Sequence, residues 1–137
     1  MILNIHELNI YYEMALDCKI KMSECRLYED AGMKHFMTKR FDRVNGQKLH
    51  MQSLGALSHI SYQLPMACSY EAASHYMEML NLYPTEIEEF YKRMVFNVLA
   101  VNQDDHVKNI SFLMDKTGKW SLAPFYDVTF SYNPENK

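Results

Sequence analysis

Eight consecutive residues, Asn102-Gln103-Asp104-Asp105-His106-Val107-Lys108-Asn109, gather two acids, an imidazole, an amine and carboxamides, and a further acid follows at Tyr126-Asp127. Phosphoryl transfer calls for such a set. One Asp orients and deprotonates the attacking hydroxyl, an Asn five positions later holds a metal ion, and a second Asp from a following strand completes the metal site. Asp104 and Asn109 have that offset, and Asp127 arrives after one predicted hairpin. The same residue types also suit a plain helix-to-strand loop, because Asp and Asn cap helices and tolerate turns. Two neighbours favour a site. The apolar run 94–101 would hold the loop on a rigid element. The run Leu122-Ala123-Pro124-Phe125-Tyr126 precedes Asp127, and an acid there needs a partner.

The elements that must position these groups can be read in turn. Residues 4–19 read as a helix, with Asn4 as cap and Ile5, Leu8, Tyr12 and Ala15 or Leu16 at helical spacing. Residues 24–29 and 34–41 read as strands joined by Asp30-Ala31-Gly32-Met33, and Val44-Asn45-Gly46-Gln47 as a turn. Residues 50–58 are weakly apolar-periodic, and 61–69, with Pro65, read as a loop. Ser69 caps a helix to about Leu82, whose Tyr70, Ala73, Met77 and Leu80 form a core stripe. After Tyr83-Pro84, Thr85 caps a helix with Glu88 three residues on. Its Ile87, Phe90, Tyr91, Met94, Val95, Val98 and Leu99 recur at three and four. Residues 109–115 and 119–122 form a hairpin around Lys116-Thr117-Gly118.

The totals bound the class. With 137 residues, 48% hydrophobic and 23% charged, the chain is long enough for one domain with its own core. Its 14 basic against 17 acidic residues give a net charge of −3, which offers no reason to propose direct nucleic-acid binding. Cys18, Cys25 and Cys68 lack metal-ligand spacing and read as buried, reduced thiols. No apolar run approaches the ~20 residues of a membrane span, so the expected location is cytoplasmic, away from membranes.

Three stretches in order, Met37 to Arg43, Phe96 to Asn109 and Leu122 to Val128, resemble the hinge strand, catalytic loop and metal-binding segment of HipA-like serine/threonine kinases. The resemblance implies an α+β, partial protein-kinase-like fold. A small antiparallel β-hairpin with the hinge would stand on a mainly helical lower lobe carrying a catalytic hairpin. Residues 1–43 would be the N-lobe remnant and 44–137 the C-lobe. It implies Asp104 as catalytic base, with Lys108 near the transferring phosphate and His106 tying the loop down. Asn109 and Asp127 would hold Mg²⁺, while Lys39, Arg40 and Phe41 form the hinge against ATP; Arg40 to Arg43 could equally be a strand end with a local ion pair. Asp105 receives no role. The glycines Gly32, Gly46, Gly55 and Gly118 form no phosphate loop. The ATP clamp is therefore expected before residue 1 and a helical tail after Lys137.

The function this implies is transfer of the ATP γ-phosphate to a protein Ser or Thr, of the toxin type found in bacterial toxin–antitoxin pairs. The isolated chain is expected to have weak or no activity and to leave apolar surface uncovered. The substrate class includes aminoacyl-tRNA synthetases, and the partners an antitoxin or a missing N-terminal subunit. One alternative is a non-catalytic kinase-like module that binds such a subunit. Another is a metal-dependent phosphohydrolase using Asp104, His106 and Asp127.

Overall fold

A computed structural model describes residues 5–61 and 68–132. The expected cap Asn4 and the loop residue Pro65 lie outside the described residues. In chain order the elements are α1 (Ile5–Asp17), β1 (Cys25–Asp30), β2 (Met33–Thr38), β3 (Arg43–Val44), β4 (Gln47–Lys48), β5 (His50–Ser53), α2 (Leu54–Ser58), α3 (Tyr70–Met79), α4 (Pro84–Leu99), β6 (Ser111–Met114) and β7 (Trp120–Leu122). The chain is thus a mixed helix and strand fold with small antiparallel sheets, as expected.

Turn chemistry sets two hairpins. β1 pairs with β2 through Asp30↔Met33, leaving Ala31 and Gly32 as the two turn residues, both at positive φ. β3 pairs with β4 around Asn45-Gly46, again both at positive φ, the two-residue turn that matches strand twist. The third sheet has the order β5-β6-β7. Its β5 is a strand where the sequence shows only weak periodicity, and it pairs antiparallel with β6 from His50↔Met114 to Ser53↔Ser111. The β6–β7 turn closes on Asp115, whose Oδ1 accepts from the backbone N–H groups of Thr117 and Lys119.

α4 runs between two apolar clusters. Phe90 sits with Leu54, Met77, Phe112 and Leu122 in one. Phe96 sits with Tyr11, Ala15, Ile20, Phe125 and Val128 in the other. The α1 residues that enter this second core are Tyr11 and Ala15, one step from the expected Tyr12; Leu16 is exposed. Tyr11 meets Phe96 edge to face, and its hydroxyl donates to the carbonyl of Ala100.

The start of α4 differs from the expected cap. Tyr83 is the N-cap, Pro84 is the first helical residue, and Glu86 rather than Glu88 reaches back to the Tyr83 N–H at 3.0 Å. Pro fits that position because its missing N–H has no helical partner there. The other oxygen of Glu86 accepts from the Leu122 N–H at 2.8 Å, so the acid fixes β7 as well as the helix start.

The buried face of α4 also departs from its periodicity. Phe90, Arg93, Phe96 and Asn97 are buried, whereas Tyr91, Val98 and Leu99 are 61%, 69% and 78% exposed. Arg93 is satisfied in place. It pairs with Glu89, donates to the Ala123 carbonyl at 2.9 Å and lies over the Phe125 ring. The cysteines are free thiols, with Cys18 exposed and Cys25 and Cys68 half-buried rather than buried. Among the described residues no helix is long and apolar enough to cross a membrane.

Candidate functional site

The loop after α4 begins on a strained residue. Val101 has φ 55°, a left-handed conformation that costs a β-branched side chain energy. Residue 131 holds it there. The Ser131 N–H donates to the Val101 carbonyl at 3.0 Å, and the Gln103 N–H to the Ser131 carbonyl at 2.9 Å. The strain turns Asn102 inward, where it is 3% exposed.

From Asn102 a directional hydrogen-bond chain starts. Its Nδ2 donates to Asn97 Oδ1 at 2.9 Å, Asn97 Nδ2 donates to the Tyr70 hydroxyl at 3.0 Å, and that hydroxyl donates to the Asp105 carboxylate. Burial, and next to it the carboxylate of Asp105, pushes the Tyr70 phenol well above its ordinary pKa. Tyr70 therefore remains a donor across the neutral range. The core stripe expected on α3 is present in Ala73 and Met77, but Tyr70 also does this polar work.

The second half of the loop is held by its backbone. Val107 is buried in the first core, and its carbonyl accepts from the Gly55 N–H at 3.0 Å. A Cβ on Gly55 would stand 3.0 Å from Val107 Cγ2 and 3.3 Å from the Ile60 carbonyl, so a larger residue here would have to displace its neighbours by a few tenths of an ångström. The Lys108 carbonyl accepts from the Tyr126 hydroxyl at 2.5 Å. Because that hydroxyl has one proton, Ser111 Oγ must donate to it at 2.6 Å. The ring of Tyr126 packs against Phe41, with centroids 5.4 Å apart. Tyr126 thus joins the expected hinge, loop and metal segment. Asp127 follows at φ 56°, again left-handed.

Asn109 and Asp127 line one pocket, together with Tyr70, Asn97, Asn102 and Asp105. Phe90, Phe125 and Ile110 form its apolar wall. Asp104, His106 and Lys108 are not among its lining residues. The Asp104 carboxylate is exposed, and His106 Nε2 stands 3.8 Å from it. Lys108 is exposed. Asp105, given no role from the sequence, is the acid of the pair that faces the pocket.

The polar groups offered to the pocket suit a hard cation. The oxygen of Asn102 is buried and has no hydrogen-bond partner among the described residues, and Asp105, Asn109 and Asp127 contribute further oxygens. Among the described residues no three His, Cys, Asp or Glu side chains come together as a metal cluster. Mg²⁺ does not need one, since it commonly binds through one or two carboxylates plus waters and substrate phosphates.

At the expected hinge, Lys39 donates its N–H to the Glu24 carbonyl at 2.8 Å, and its carbonyl accepts from Ser23 Oγ at 2.5 Å. Its amine pairs with Glu24. Arg40 grips Asp42 with two hydrogen bonds of 2.8 and 2.6 Å, and Arg43 joins the same carboxylate. The Arg40 guanidinium, with Arg43 behind it, holds the Asp42 carboxyl down to about 2. The local ion pair is present. The main-chain groups of Lys39 are spent within the fold.

Known proteins share the family and the fold of this chain. The family model described as HipA-like C-terminal domain matches residues 5–137. A Haemophilus influenzae protein named "Putative kinase" is 31% identical over 110 residues, covering 73% of this chain and 32% of that protein. In architecture the chain is similar to a chain from the toxin–antitoxin complex of HipA, HipB and operator DNA of Shewanella oneidensis MR-1. The TM-score is 0.75 at 19% identity, over 92% of this chain and 34% of that one. This chain spans about a third of the length of each. At that identity the structural likeness carries the fold, which is kinase-like.

Proposed function

The chain belongs to the HipA-like C-terminal domain family, and from that premise we propose that it is the acid- and metal-bearing part of a protein serine/threonine kinase. Asn109 and Asp127 would hold Mg²⁺ with ATP, and Asp104 would receive the proton of a substrate Ser or Thr hydroxyl. The observation that carries this reading is that Asn109 and Asp127, from separate segments, line the same oxygen-rich pocket. Mg²⁺ bound there would neutralise charge on the phosphates.

The remaining roles follow from placement. The exposed Asp104 carboxylate is open to a protein hydroxyl, and His106 beside it would tie the loop down. Lys108 would meet the transferring phosphate from the solvent side. With Lys39 engaged in the fold, the main chain of Arg40 and Phe41 would pair with the adenine edge, at the border between a 1–43 upper remnant and a 44–137 lower lobe. The substrate would be a cytoplasmic protein, with an aminoacyl-tRNA synthetase proposed on the resemblance alone. The S. oneidensis complex contains HipB, and an antitoxin partner is proposed here by analogy.

A second reading, a non-catalytic module that docks on a complementary subunit, draws on the glycines. Gly32, Gly46 and Gly118 occupy tight turns at positive φ and Gly55 packs under Val107, so none is arranged to cradle phosphates.

Calorimetric titration of ATP into the protein tests the proposal. Binding heat should require Mg²⁺ and vanish in Asp127→Ala. Binding indifferent to Mg²⁺, or hydrolysis of a phosphate ester without ATP, would contradict it.

A further inference from the structure

We propose that Asn102 is a positioning residue for the cation, its side-chain oxygen and the Asp105 carboxylate accepting hydrogen bonds from the ion's water shell; this rests on the reading of Asn109 and Asp127 as the metal-holding pair. Asn102 is 3% exposed and its Oδ1 has no hydrogen-bond partner among the described residues. Buried acceptors without partners are rare and costly, so such an atom at a pocket wall points to something that fills it.

The orientation of the amide is determined by its neighbours. Nδ2 of Asn102 donates to Asn97 Oδ1, and Asn97 Nδ2 is committed to the Tyr70 hydroxyl. Flipping Asn102 would set its oxygen against the oxygen of Asn97, so the free oxygen must be the one left over. The chain that begins at Asn102 ends on Asp105, which lines the same pocket. The residues at both ends of the relay therefore line one pocket.

The charged donor of the pocket is already engaged. Its one lining cation, Arg93, is spent on Glu89 and on the Ala123 carbonyl. A space of carboxylates and amide oxygens selects an occupant rich in donors. A magnesium ion that keeps several waters is such an occupant, because each coordinated water carries polarised protons that need acceptors.

Mn²⁺ serves as the probe, with binding to the protein followed by loss of the free-ion electron paramagnetic resonance signal. Asn102→Ala should weaken Mn²⁺ binding by roughly tenfold or more. Asn102→Asp loses the same N–H to Asn97 but keeps an oxygen at the pocket, and should bind at least as tightly as the wild type. A role only in holding the loop would weaken both variants alike, and that result overturns the proposal, as does an unchanged Asn102→Ala. If Asn102→Ala does not fold, the Asn102→Asp affinity decides alone. A wild type that takes up no Mn²⁺, or an Asp127→Asn variant that binds it unchanged, overturns the metal-pair reading itself and this inference with it.

Discussion

The side-chain amide of Asn109 donates to the main-chain carbonyl of Asp104 at 2.9 Å. The five-residue offset visible in the sequence is thus a closed ring of chain. Nδ2 is spent inside the loop, which leaves Oδ1 as the atom that Asn109 can offer a metal. The amide also fixes the backbone from which the Asp104 carboxylate projects.

That ring predicts an asymmetric outcome for Asn109→Ala. Folding stability should fall by only about 1 kcal/mol, the net worth of one exposed hydrogen bond. Affinity for Mg·ATP should fall by roughly 10–100-fold, because a ligand and its orienter are lost together. Urea denaturation and calorimetry measure the two effects on one sample.

Val101 supplies a stabilising substitution. At φ 55° a valine is strained, whereas glycine adopts that conformation freely. Val101→Gly should gain about 1 kcal/mol, the relieved strain less the extra freedom of the unfolded chain. The midpoint of urea unfolding reports it; a lower midpoint would mean that the valine side chain contributes packing that outweighs the strain.

The orientation of α4 is open to test with one pair of substitutions. Phe96→Ala removes a ring that meets both Tyr11 and Phe125 and should cost about 3–5 kcal/mol. Leu99→Gln alters a side chain that is 78% exposed and should stay within about 0.5 kcal/mol. Similar losses at both positions would place the buried face where hydrophobic periodicity alone puts it.

Stability should decline on both sides of neutrality. Asp42 is held at about 2 by Arg40 and Arg43, so its contribution is complete above the unfolded carboxylate value of about 4 and is lost as pH falls from there towards 2. Tyr70 is shifted upward, so its contribution is complete below about 10 and is lost as pH rises beyond that. Denaturation midpoints against pH should show both limbs. Asp42→Asn should flatten the acid limb and Tyr70→Phe the alkaline one.

Local chemistry was legible in the sequence wherever neighbours along the chain decide the outcome. Gly32 and Asn45-Gly46 mark their turns because glycine and asparagine take positive φ most readily. The sequence spacing of Asp104, Asn109 and Asp127 suggested a site, and the fold brings Asn109 and Asp127 to one pocket. What escaped depends on distant partners. β5 exists because residues 111–114 pair with it, and its own alternation is faint. The buried face of α4 uses Arg93 and Asn97, which hydrophobic periodicity counts against burial, although Glu89, Ala123 and Tyr70 satisfy them. Val98 and Leu99 are exposed, on a helix that was expected to bury them. The clue that could have revealed the polar relay was Asn97 itself, a carboxamide inside an apolar run, where burial demands a partner.

The most direct measurement is paramagnetic broadening of backbone amide signals by Mn²⁺ in a ¹H–¹⁵N spectrum of the protein. If residues 109 and 127 share one ion, their signals and those of Asp105 and Val128 should disappear first and together, and Mg²⁺ should restore them. Broadening that begins instead at the exposed acids Glu29 and Asp30 or around Glu88, with 109 and 127 unaffected, would contradict the shared metal position and the kinase assignment built on it.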